Sequence, residues 1–392
     1  MSKISRRDFI KMSSLLGISL SLPAVLSSCG ADGETNAQGK VLIIGAGAAG
    51  MTAGYLLAQK GIEFQILEAS PVYGGRFRIN NTFANFPIPL GAEWLHVPPS
   101  EFEAIVNDAS VNVEIETIGY TAEDTYGTYE DGELAIEPLA GIDGSGDRKF
   151  VGSSWFDFYE EYIVPSIRSN IVFNTPIVEI DTSDDQVVLT DNVGETYTAD
   201  KVIVTVPLKL LQEGAVNFVP PLPARKQEAI DEAIVWSGFK VFLEFTEKFF
   251  PTYLEFVDES PSAGQLAFYD ASYGQESETH IMGVFSVGAP AEAYQAMSDG
   301  DLLANILAKC DELFDGAASR TFIKHLVQNW NAEPFAQAAY LSDDAPAWIS
   351  RILAESVNYK LFFAGTAYTQ EDDWGGVHNA ARSARDAVNE II

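Results

Sequence analysis

Three glycines near the start of the sequence have the spacing of a phosphate-binding turn. Gly45, Gly47 and Gly50 follow the apolar run 41–44 and open a segment with helical character. In a strand–turn–helix unit the first glycine permits the tight turn, the second admits a pyrophosphate and the third lets the helix pack on the strand. Glu68, after the next predicted strand, is placed to accept hydrogen bonds from a ribose hydroxyl. The spacing therefore predicts a dinucleotide site.

Two further features favour this interpretation over a Gly-rich turn that binds nothing. Gly74, Gly75 and Arg76 supply adaptable backbone and a cation near the expected phosphates. The predicted helix, which begins at about residue 48, also directs unpaired N–H groups and the positive end of its dipole toward them.

The same glycine pair carries a resemblance to a known family. Gly74-Gly75-Arg76 resembles the second glycine motif of the flavin-containing amine oxidases, whose dinucleotide is FAD. The segment 361–381 resembles the closing motif of that family, in which an apolar strand ends at a glycine and a final helix follows. Its Val-His pair is the form found in polyamine oxidases and histone demethylases. The resemblance covers residues 40–95, 171–250 and 325–392.

The resemblance implies that FAD contacts several separate segments of the chain. The cysteine that attaches flavin in mitochondrial monoamine oxidases is replaced by Ala339, so the expected FAD is non-covalent. The residues expected at the cofactor are Gly45, Gly47, Ala48, Ala49, Gly50, Glu68, Ala69, Gly75, Arg76, Gly91, Ala92, Glu93, Trp94, Val178, Gly365, Thr366, Gly376, Val377 and Ala380.

Lys240 is the residue with the clearest implied role in the chemistry. It begins an apolar strand after a Pro-rich linker and a helix, and a lysine in that position is ordinarily a solvated edge charge. The whole segment resembles the amine oxidase pattern in which this lysine reaches the flavin N5 through an ordered water. Trp94, His96 and Tyr340 are the other candidate catalytic residues, and Phe242 is a further candidate for the wall of the substrate site.

Three positions and one segment depart from the family pattern. Val97 stands where a glycine usually follows the histidine, and Asn379 replaces a glycine near the flavin edge. Val377 stands where monoamine oxidases place the second tyrosine of an aromatic cage, so the cage opposite Tyr340 is incomplete. The segment 101–165 is short for the helical part of a substrate domain, which predicts a more open site or a narrower range of substrates.

The order of elements predicts an α/β fold. We expect an FAD-binding Rossmann-type domain, glutathione-reductase-like, with a discontinuous α+β substrate domain on a mixed sheet. The strands in 171–206 resemble the family's β-meander beneath the adenine. The predicted boundaries are 1–28 for a signal segment, 29–39 for a tether, 40–95, 166–212 and 345–392 for the FAD-binding domain, and 96–165 and 213–344 for the substrate domain.

The first 29 residues indicate export. The run 5–11, SRRDFIK, resembles the twin-arginine signal, and 26–29, LSSC, resembles a lipoprotein cleavage box that ends at Cys29. The alternative is an ordinary signal peptide with an incidental cysteine. We expect twin-arginine export to the periplasm or cell surface, with membrane attachment only through a lipid anchor at Cys29. Cys310 is expected in the core, without a disulfide.

The composition is strongly acidic. The 392 residues include 24 basic and 56 acidic side chains, for a formal net charge of −32. This charge disfavours binding of nucleic acid or of anionic membranes through the folded surface. It favours either cationic substrates or simple solubility. The four histidines are scattered along the sequence, so a metal site is not expected.

The reaction implied by the resemblance is the oxidation of an amine. In this family a neutral amine passes its α-hydrogen to flavin N5, the imine hydrolyses, and dioxygen reoxidises FAD and yields peroxide. A second interpretation is an amino-acid oxidase or a desaturase of the same fold, although Arg78 is the only nearby candidate for a carboxylate clamp. A third is a flavin-bearing binding subunit with little turnover. An acceptor other than dioxygen is also left open.

Overall fold

The computed structural model describes residues 39–139, 146–258, 263–371, 373 and 375–392. The predicted signal segment, most of the tether and Cys29 lie outside these residues, as does Trp374 of the closing motif. Within the described ranges, no helix is both long enough and apolar enough to cross a membrane.

The described residues form a mixture of helices and strands. The α-helices are α1 (Ala48–Gln59), α2 (Ser100–Val106), α3 (Trp155–Tyr162), α4 (Val164–Ile167), α5 (Leu208–Gln212), α6 (Ala224–Glu232), α7 (Ala289–Gln295), α8 (Asp299–Leu313), α9 (Ala317–Thr321), α10 (Ala347–Ala354) and α11 (Val377–Ile391). The strands are β1 (Val41–Ile44), β2 (Phe64–Leu67), β3 (Ile79–Asn80), β4 (Ile88–Pro89), β5 (Trp94–Leu95), β6 (Thr117–Gly119), β7 (Thr125–Glu130), β8 (Glu133–Pro138), β9 (Arg148–Phe150), β10 (Ile171–Val172), β11 (Ile177–Asp181), β12 (Val187–Asp191), β13 (Thr196–Ala199), β14 (Lys201–Val204), β15 (Asn217–Val219), β16 (Gly238–Phe245), β17 (Tyr253–Phe256), β18 (Gly264–Asp270), β19 (His280–Gly288), β20 (Phe322–Asn329) and β21 (Leu361–Phe363).

A five-stranded parallel sheet positions the glycine turn. Its strand order is β10-β2-β1-β14-β21, so β1 lies at the centre. Val41 and Ile43 pack into a core with α1 and α11, whereas Leu42 and Ile44 pack into a second core on the opposite face. Both faces of β1 are covered, which explains why its sequence is continuously apolar. The predicted α/β fold is confirmed.

The described residues form four further sheets, of which two, β3-β4 and β5-β9-β6, have only two and three strands. The predicted meander forms a four-stranded sheet of order β13-β12-β11-β15, because β15 adds to β11 in parallel. A seven-stranded mixed sheet has the order β20-β16-β19-β18-β17-β7-β8. Strand β16 carries Lys240 and begins two residues earlier than predicted, at Gly238. It pairs on both sides, with β20 and β19, and therefore lies within the sheet.

The segment 101–165 is helical at its two ends and forms strands between them. Helix α2 and helices α3 and α4 form near the helices predicted at 101–108 and 154–168, and the residues between them, where no helix was predicted, form β6 to β9. Strands β7 and β8 make a hairpin at the edge of the seven-stranded sheet. Thr, Tyr and Ile residues, which favour strands, are frequent in this stretch. A β-hairpin therefore separates the two helical parts of the segment.

One hydrophobic core continues across residue 96, the predicted start of the substrate domain. Phe102 of α2 and Phe158 of α3 belong to the same core as Val41 of β1. The predicted helix 154–168 is also interrupted at Ile163, just before α4, whose second residue is proline. Proline lacks the N–H that would continue the helical ladder.

Candidate active site

A cavity of 1510 Å³ extends from the glycine turn of β1 to strand β16. It brings together nearly all the residues that the sequence analysis selected. The selected residues on its wall are Gly45, Gly47, Ala48, Ala49, Glu68, Ala69, Gly75, Arg76, Gly91, Ala92, Glu93, Trp94, His96, Val178, Lys240, Tyr340, Gly365, Thr366, Gly376, Val377 and Ala380. Gly50 was also selected and does not line the cavity.

The three glycines of the turn differ in what surrounds them. Gly45 has a φ of +102°, which only glycine adopts readily. A Cβ on Gly50 would lie 1.9 Å from the carbonyl oxygen of Gly45, so this glycine is required for helix α1 to approach the strand. A Cβ on Gly47 would meet no chain atom within 4 Å. Gly50 is therefore needed for packing, whereas Gly47 faces the open cavity.

Glu68 is fixed by two backbone donors at the end of β2. Its Oε2 accepts a hydrogen bond from the Ala46 N–H at 2.6 Å, and its Oε1 accepts one from the Ser70 N–H at 2.7 Å. Burial raises the pKa of Glu68, and these two hydrogen bonds oppose that increase. A carboxylate has further acceptor capacity, so Glu68 can also accept a hydrogen bond from a ligand hydroxyl.

Arg76 and Gly91 join the second glycine motif to the segment that follows it. The Arg76 guanidinium donates to the carbonyl oxygen of Ala339 and to Thr366 Oγ1, the latter at 3.4 Å. The Ala92 N–H donates to the carbonyl oxygen of Arg76 at 3.1 Å. A Cβ on Gly91 would lie 1.8 Å from that same oxygen, which explains the glycine at this position.

The departure at Asn379 has a structural explanation. Asn379 is fully buried near the start of α11, and its Oδ1 accepts from the Gly376 N–H at 3.1 Å. Its Nδ2 donates to the carbonyl oxygen of Asp373 at 3.1 Å and to Glu371 Oε2 at 3.2 Å. The side chain thus holds the loop before α11 in place. Val377, the other departure here, is nearly buried against the cavity wall.

Val178 lies on the cavity and not in the core of the meander. Its side chain is 37% exposed, whereas the neighbouring Ile177 and Ile180 of β11 are buried. The periodicity of the strand would equally allow Val178 to lie in the core of the sheet, and this alternative is wrong. Its predicted contact with an adenine stays a prediction.

Aromatic side chains line the part of the cavity near β5 and β16. The Trp94 Nε1–H donates to the Tyr120 hydroxyl at 2.8 Å, and its ring meets Phe285 edge-on at 6.2 Å between centroids. Burial raises the pKa of Tyr120. Tyr340 lies edge-on to Trp236, with 6.0 Å between ring centroids. Trp94, Phe285 and Tyr340 line the cavity and give this part of it an apolar wall, whereas Trp236 does not line it.

Phe242 is a correction to the predicted wall. It is fully buried and packs in a separate core with Phe83 and Phe86, and it does not line the cavity. It belongs to the same strand as Lys240, whose Nζ lies 5.6 Å from the centroid of its ring. His96 does line the cavity, where its Nδ1 lies 2.8 Å from Asp147 Oδ1.

Lys240 is buried at the cavity wall and is not a solvated edge charge. Its side chain is 4% exposed, and its Nζ donates to Glu93 Oε2 at 2.7 Å and to the carbonyl oxygen of Gly91 at 2.8 Å. Burial lowers the pKa of Lys240, and Glu93 counteracts this. The amino group is therefore held close to Gly91, a predicted cofactor residue.

Glu93 connects Lys240 to two residues that the sequence analysis missed. Lys149 of β9 pairs with Glu93 Oε1, and the hydroxyl of Tyr269 on β18 donates to Oε2. Burial alone would raise the pKa of Glu93, but the ammonium groups of Lys149 and Lys240 outweigh it and hold the pKa below its ordinary value. Lys149 has no local signal in the sequence, because a lysine in a short strand ordinarily faces solvent.

The guanidinium of Arg78 is already paired with a carboxylate of this chain. It forms an ion pair with Glu333 at 2.6 Å and lies 5.2 Å from the centroid of the Trp330 ring. Burial alone would raise the pKa of Glu333, but this ion pair helps to hold it below its ordinary value. The arginine considered for a carboxylate clamp therefore already has a carboxylate partner.

With this geometry in hand, comparison with known proteins identifies the family. The profile of the family described as flavin containing amine oxidoreductase matches residues 156–392, and that of an NAD(P)-binding Rossmann-like domain matches residues 43–109. Since the first profile covers more than half of the sequence, this chain belongs to the flavin-containing amine oxidoreductase family. The predicted family and its cofactor, FAD, are confirmed.

Individual relatives differ in how much of the chain they match. Lysine-specific histone demethylase 1B of Mus musculus is 30% identical over 50% of this chain, which spans only 25% of the demethylase. Polyamine oxidase 4 of Oryza sativa subsp. japonica is 24% identical over 89% of this chain and 88% of its own length. A putrescine oxidase structure with bound putrescine superposes with a TM-score of 0.73 at 15% identity, covering 90% of this chain and 98% of the other. At that identity the superposition shows the shared fold.

Proposed function

We propose that this chain oxidises a small amine at the end of the cavity formed by Trp94 and Tyr340, with FAD bound along the glycine turn. The observation that carries the proposal is that the glycine turn and Lys240 open on one cavity. A dinucleotide on the turn and a substrate among the aromatic rings would therefore meet inside the same enclosure.

The residues of the glycine end fit FAD. The space beside Gly47, where a Cβ would meet nothing, is suited to a pyrophosphate at the N-terminus of α1. Glu68, held by the two N–H groups, is placed for ribose hydroxyls. When bound, FAD would supply a two-electron acceptor, and no attachment at Ala339 is available because alanine has no thiol.

The charges at the cavity favour a cationic substrate over an anionic one. Asp147, Glu255, Asp343 and Asp344 all line it. An amine would be attracted as its ammonium form and would lose a proton more readily once surrounded by the aromatic wall, because desolvation disfavours the charged form. The neutral amine is the form that can give up the hydrogen on its α-carbon. Loss of a hydride from that carbon, with bound FAD as the two-electron acceptor, and of a proton from the nitrogen would yield an imine. Water would hydrolyse the imine to an aldehyde, with release of ammonia from a primary amine or of a smaller amine from a secondary one.

The names of two relatives suggest where to begin with substrates. A polyamine oxidase matches most of this chain, and a putrescine oxidase shares its fold. We therefore infer that a diamine or polyamine is the first class to test, with dioxygen as the acceptor that yields hydrogen peroxide. An amino acid is less favoured, because Arg78 is paired with Glu333.

Anaerobic reduction of the bound flavin tests the proposal. FAD-loaded protein is mixed with putrescine, spermidine, a monoamine and an amino acid, and the loss of flavin absorbance is followed before oxygen is admitted and peroxide is measured. Bleaching by an amine followed by peroxide formation is the expected result. Bleaching without peroxide would replace dioxygen by another acceptor. FAD-loaded protein that no amine bleaches would overturn the proposal and leave a binding role.

We propose separately that the protein is exported through the twin-arginine route and anchored by lipid at Cys29. The support is the sequence of residues 1–29, which lie outside the described residues. The full chain is expressed in a bacterial host, and the membrane and soluble periplasmic fractions are compared for the unchanged chain and for Cys29→Ala. Release of Cys29→Ala from the membrane is expected. The same distribution for both proteins would contradict the anchor.

A further inference from the structure

We propose that Glu93, held by Lys149 and Tyr269, is a positioning residue that fixes the Lys240 amino group at the cavity wall. The inference rests on the proposed function, because it concerns the lysine expected to take part in the amine chemistry. To Lys240 it adds Glu93, which also lines the cavity, and Lys149 and Tyr269, which do not.

The geometry shows one carboxylate shared by two buried ammonium groups. Lys149 pairs with Oε1 of Glu93, while Lys240 at 2.7 Å and the Tyr269 hydroxyl share Oε2. The side chains of Lys149, Lys240 and Glu93 are 3%, 4% and 1% exposed. Buried charges are retained when they are paired and hydrogen-bonded, and this cluster meets that condition.

Three of the four residues lie on separate strands, which belong to two sheets. Glu93 directly precedes β5, and Lys149 lies on β9, which pairs with β5 in a three-stranded sheet. Lys240 and Tyr269 lie on β16 and β18 of the seven-stranded sheet. The cluster therefore joins the two sheets at the cavity wall, which Glu93 and Lys240 line. Both ammonium nitrogens also lie 5.3 Å from the centroid of the Trp94 ring, so the same contacts support the aromatic wall.

The two charged neighbours act on Lys240 in opposite directions. The titratable groups that the structure places around Lys240 are Glu93, Lys149, Tyr269 and, beyond Trp94, Tyr120. Glu93 favours the protonated amine, whereas burial and the like charge of Lys149 disfavour it. Removing the charge of Glu93 should therefore favour neutral Lys240. Removing the charge of Lys149 should leave a one-to-one ion pair between Lys240 and Glu93 and favour protonated Lys240.

The test compares Glu93→Gln with Lys149→Met in the FAD-loaded protein. The visible flavin spectrum is titrated with pH, and the rate of anaerobic flavin reduction by an amine is measured over the same range. The apparent pKa assigned to Lys240 should fall in Glu93→Gln and rise in Lys149→Met, each by about one unit, the scale of a nearby charge. Lys149→Arg, which keeps the charge, should titrate like the unchanged protein.

A matched control separates charge positioning from the loss of any buried lysine. Lys226 is as buried as Lys149, but its Nζ donates to the carbonyl oxygens of Ile352 and Leu353 and it does not line the cavity. Lys226→Met should leave the titration unchanged. If Glu93→Gln fails to load FAD, the difference in the apparent pKa of Lys240 between Lys149→Met and Lys149→Arg tests the inference.

Two outcomes would overturn the inference. One is a shift of the same sign in Glu93→Gln and Lys149→Met, and the other is no shift in Lys149→Met relative to Lys149→Arg. The spectral titration requires no turnover. A protein that no amine reduces would therefore refute the proposed function while the charge cluster is still tested.

Discussion

The two ends of the cavity are built from different kinds of group. At the nucleotide end, backbone N–H groups and the space beside Gly47 form the site, and Glu68 is itself held by backbone donors. At the substrate end, side chains from several strands meet, and Lys240 depends on Glu93 for its position. The first end is therefore set largely by one contiguous stretch of the chain, from β1 through α1 to Glu68 after β2. The second end depends on how two sheets pack together.

The largest expected effect concerns the substrate end. Lys240→Met should leave FAD bound but slow flavin reduction or reoxidation by about 1,000-fold, within the range for a positioned proton-handling side chain. Stopped-flow absorbance measures both half-reactions, and FAD content is measured on the same sample. Equal rates for Lys240→Met and the unchanged protein in both half-reactions would remove Lys240 from the mechanism.

At the nucleotide end, two glycines give a matched pair of alanine substitutions. Gly50→Ala should destabilise the FAD-free protein by about 3 kcal/mol, since its Cβ would overlap the Gly45 carbonyl oxygen. Gly47→Ala should fold with unchanged stability and bind FAD about tenfold more weakly, equivalent to about 1.4 kcal/mol. Denaturant unfolding and FAD titration measure the two effects. A lower free energy of unfolding for FAD-free Gly47→Ala than for the unchanged protein would contradict the open space beside Gly47.

Glu68→Ala should weaken FAD binding by about 1–3 kcal/mol, the scale of a lost hydrogen bond to a charged group. The variant also leaves the N–H groups of Ala46 and Ser70 without this acceptor, so unfolding of the FAD-free protein is measured alongside FAD titration. Full flavin occupancy in dilute Glu68→Ala would argue against the ribose role.

A last prediction lies outside both ends of the cavity and concerns pH. Burial lowers the pKa of Lys226 to about 7 from its ordinary 10.5. Between these values the unfolded chain binds more protons than the folded one, so Lys226 makes stability rise with pH, by up to about 1.4 kcal/mol per unit. Lys226→Met should remove that slope, as measured by urea unfolding at pH 7 and pH 10. An identical slope in the variant would contradict the lowered pKa.

Much of the nucleotide end was predictable because its signals are local. The glycine spacing, the apolar strand and Glu68 lie within one short segment, and each has its own physical reason. The closing segment before α11 was also predictable as a motif. The role of Asn379 was not, because it depends on contacts with Asp373 and Glu371 that only the folded loop provides.

The substrate end was predictable only in part. The position of Lys240 followed from the family pattern, but Lys149 and Tyr269 join it through the pairing of β9 with β5 and the order of the seven-stranded sheet. Phe242 shares a strand face with Lys240, as the alternation along β16 predicts, but it lies in a core with Phe83 and Phe86, because alternation does not reveal what packs on each face. The hairpin β7–β8 was not predicted for a similar reason, because sheet pairing decides its conformation.

If both ends of the cavity serve one reaction, an amine bound among the aromatic rings must reduce the flavin. Anaerobic titration of FAD-loaded protein with putrescine, monitored by flavin absorbance, measures this reduction. We expect full bleaching in the unchanged protein and in Lys226→Met, and bleaching slowed by orders of magnitude in Lys240→Met with FAD retained. A flavin that neither putrescine nor any other amine bleaches while FAD remains bound would show that the two ends do not serve one amine oxidation.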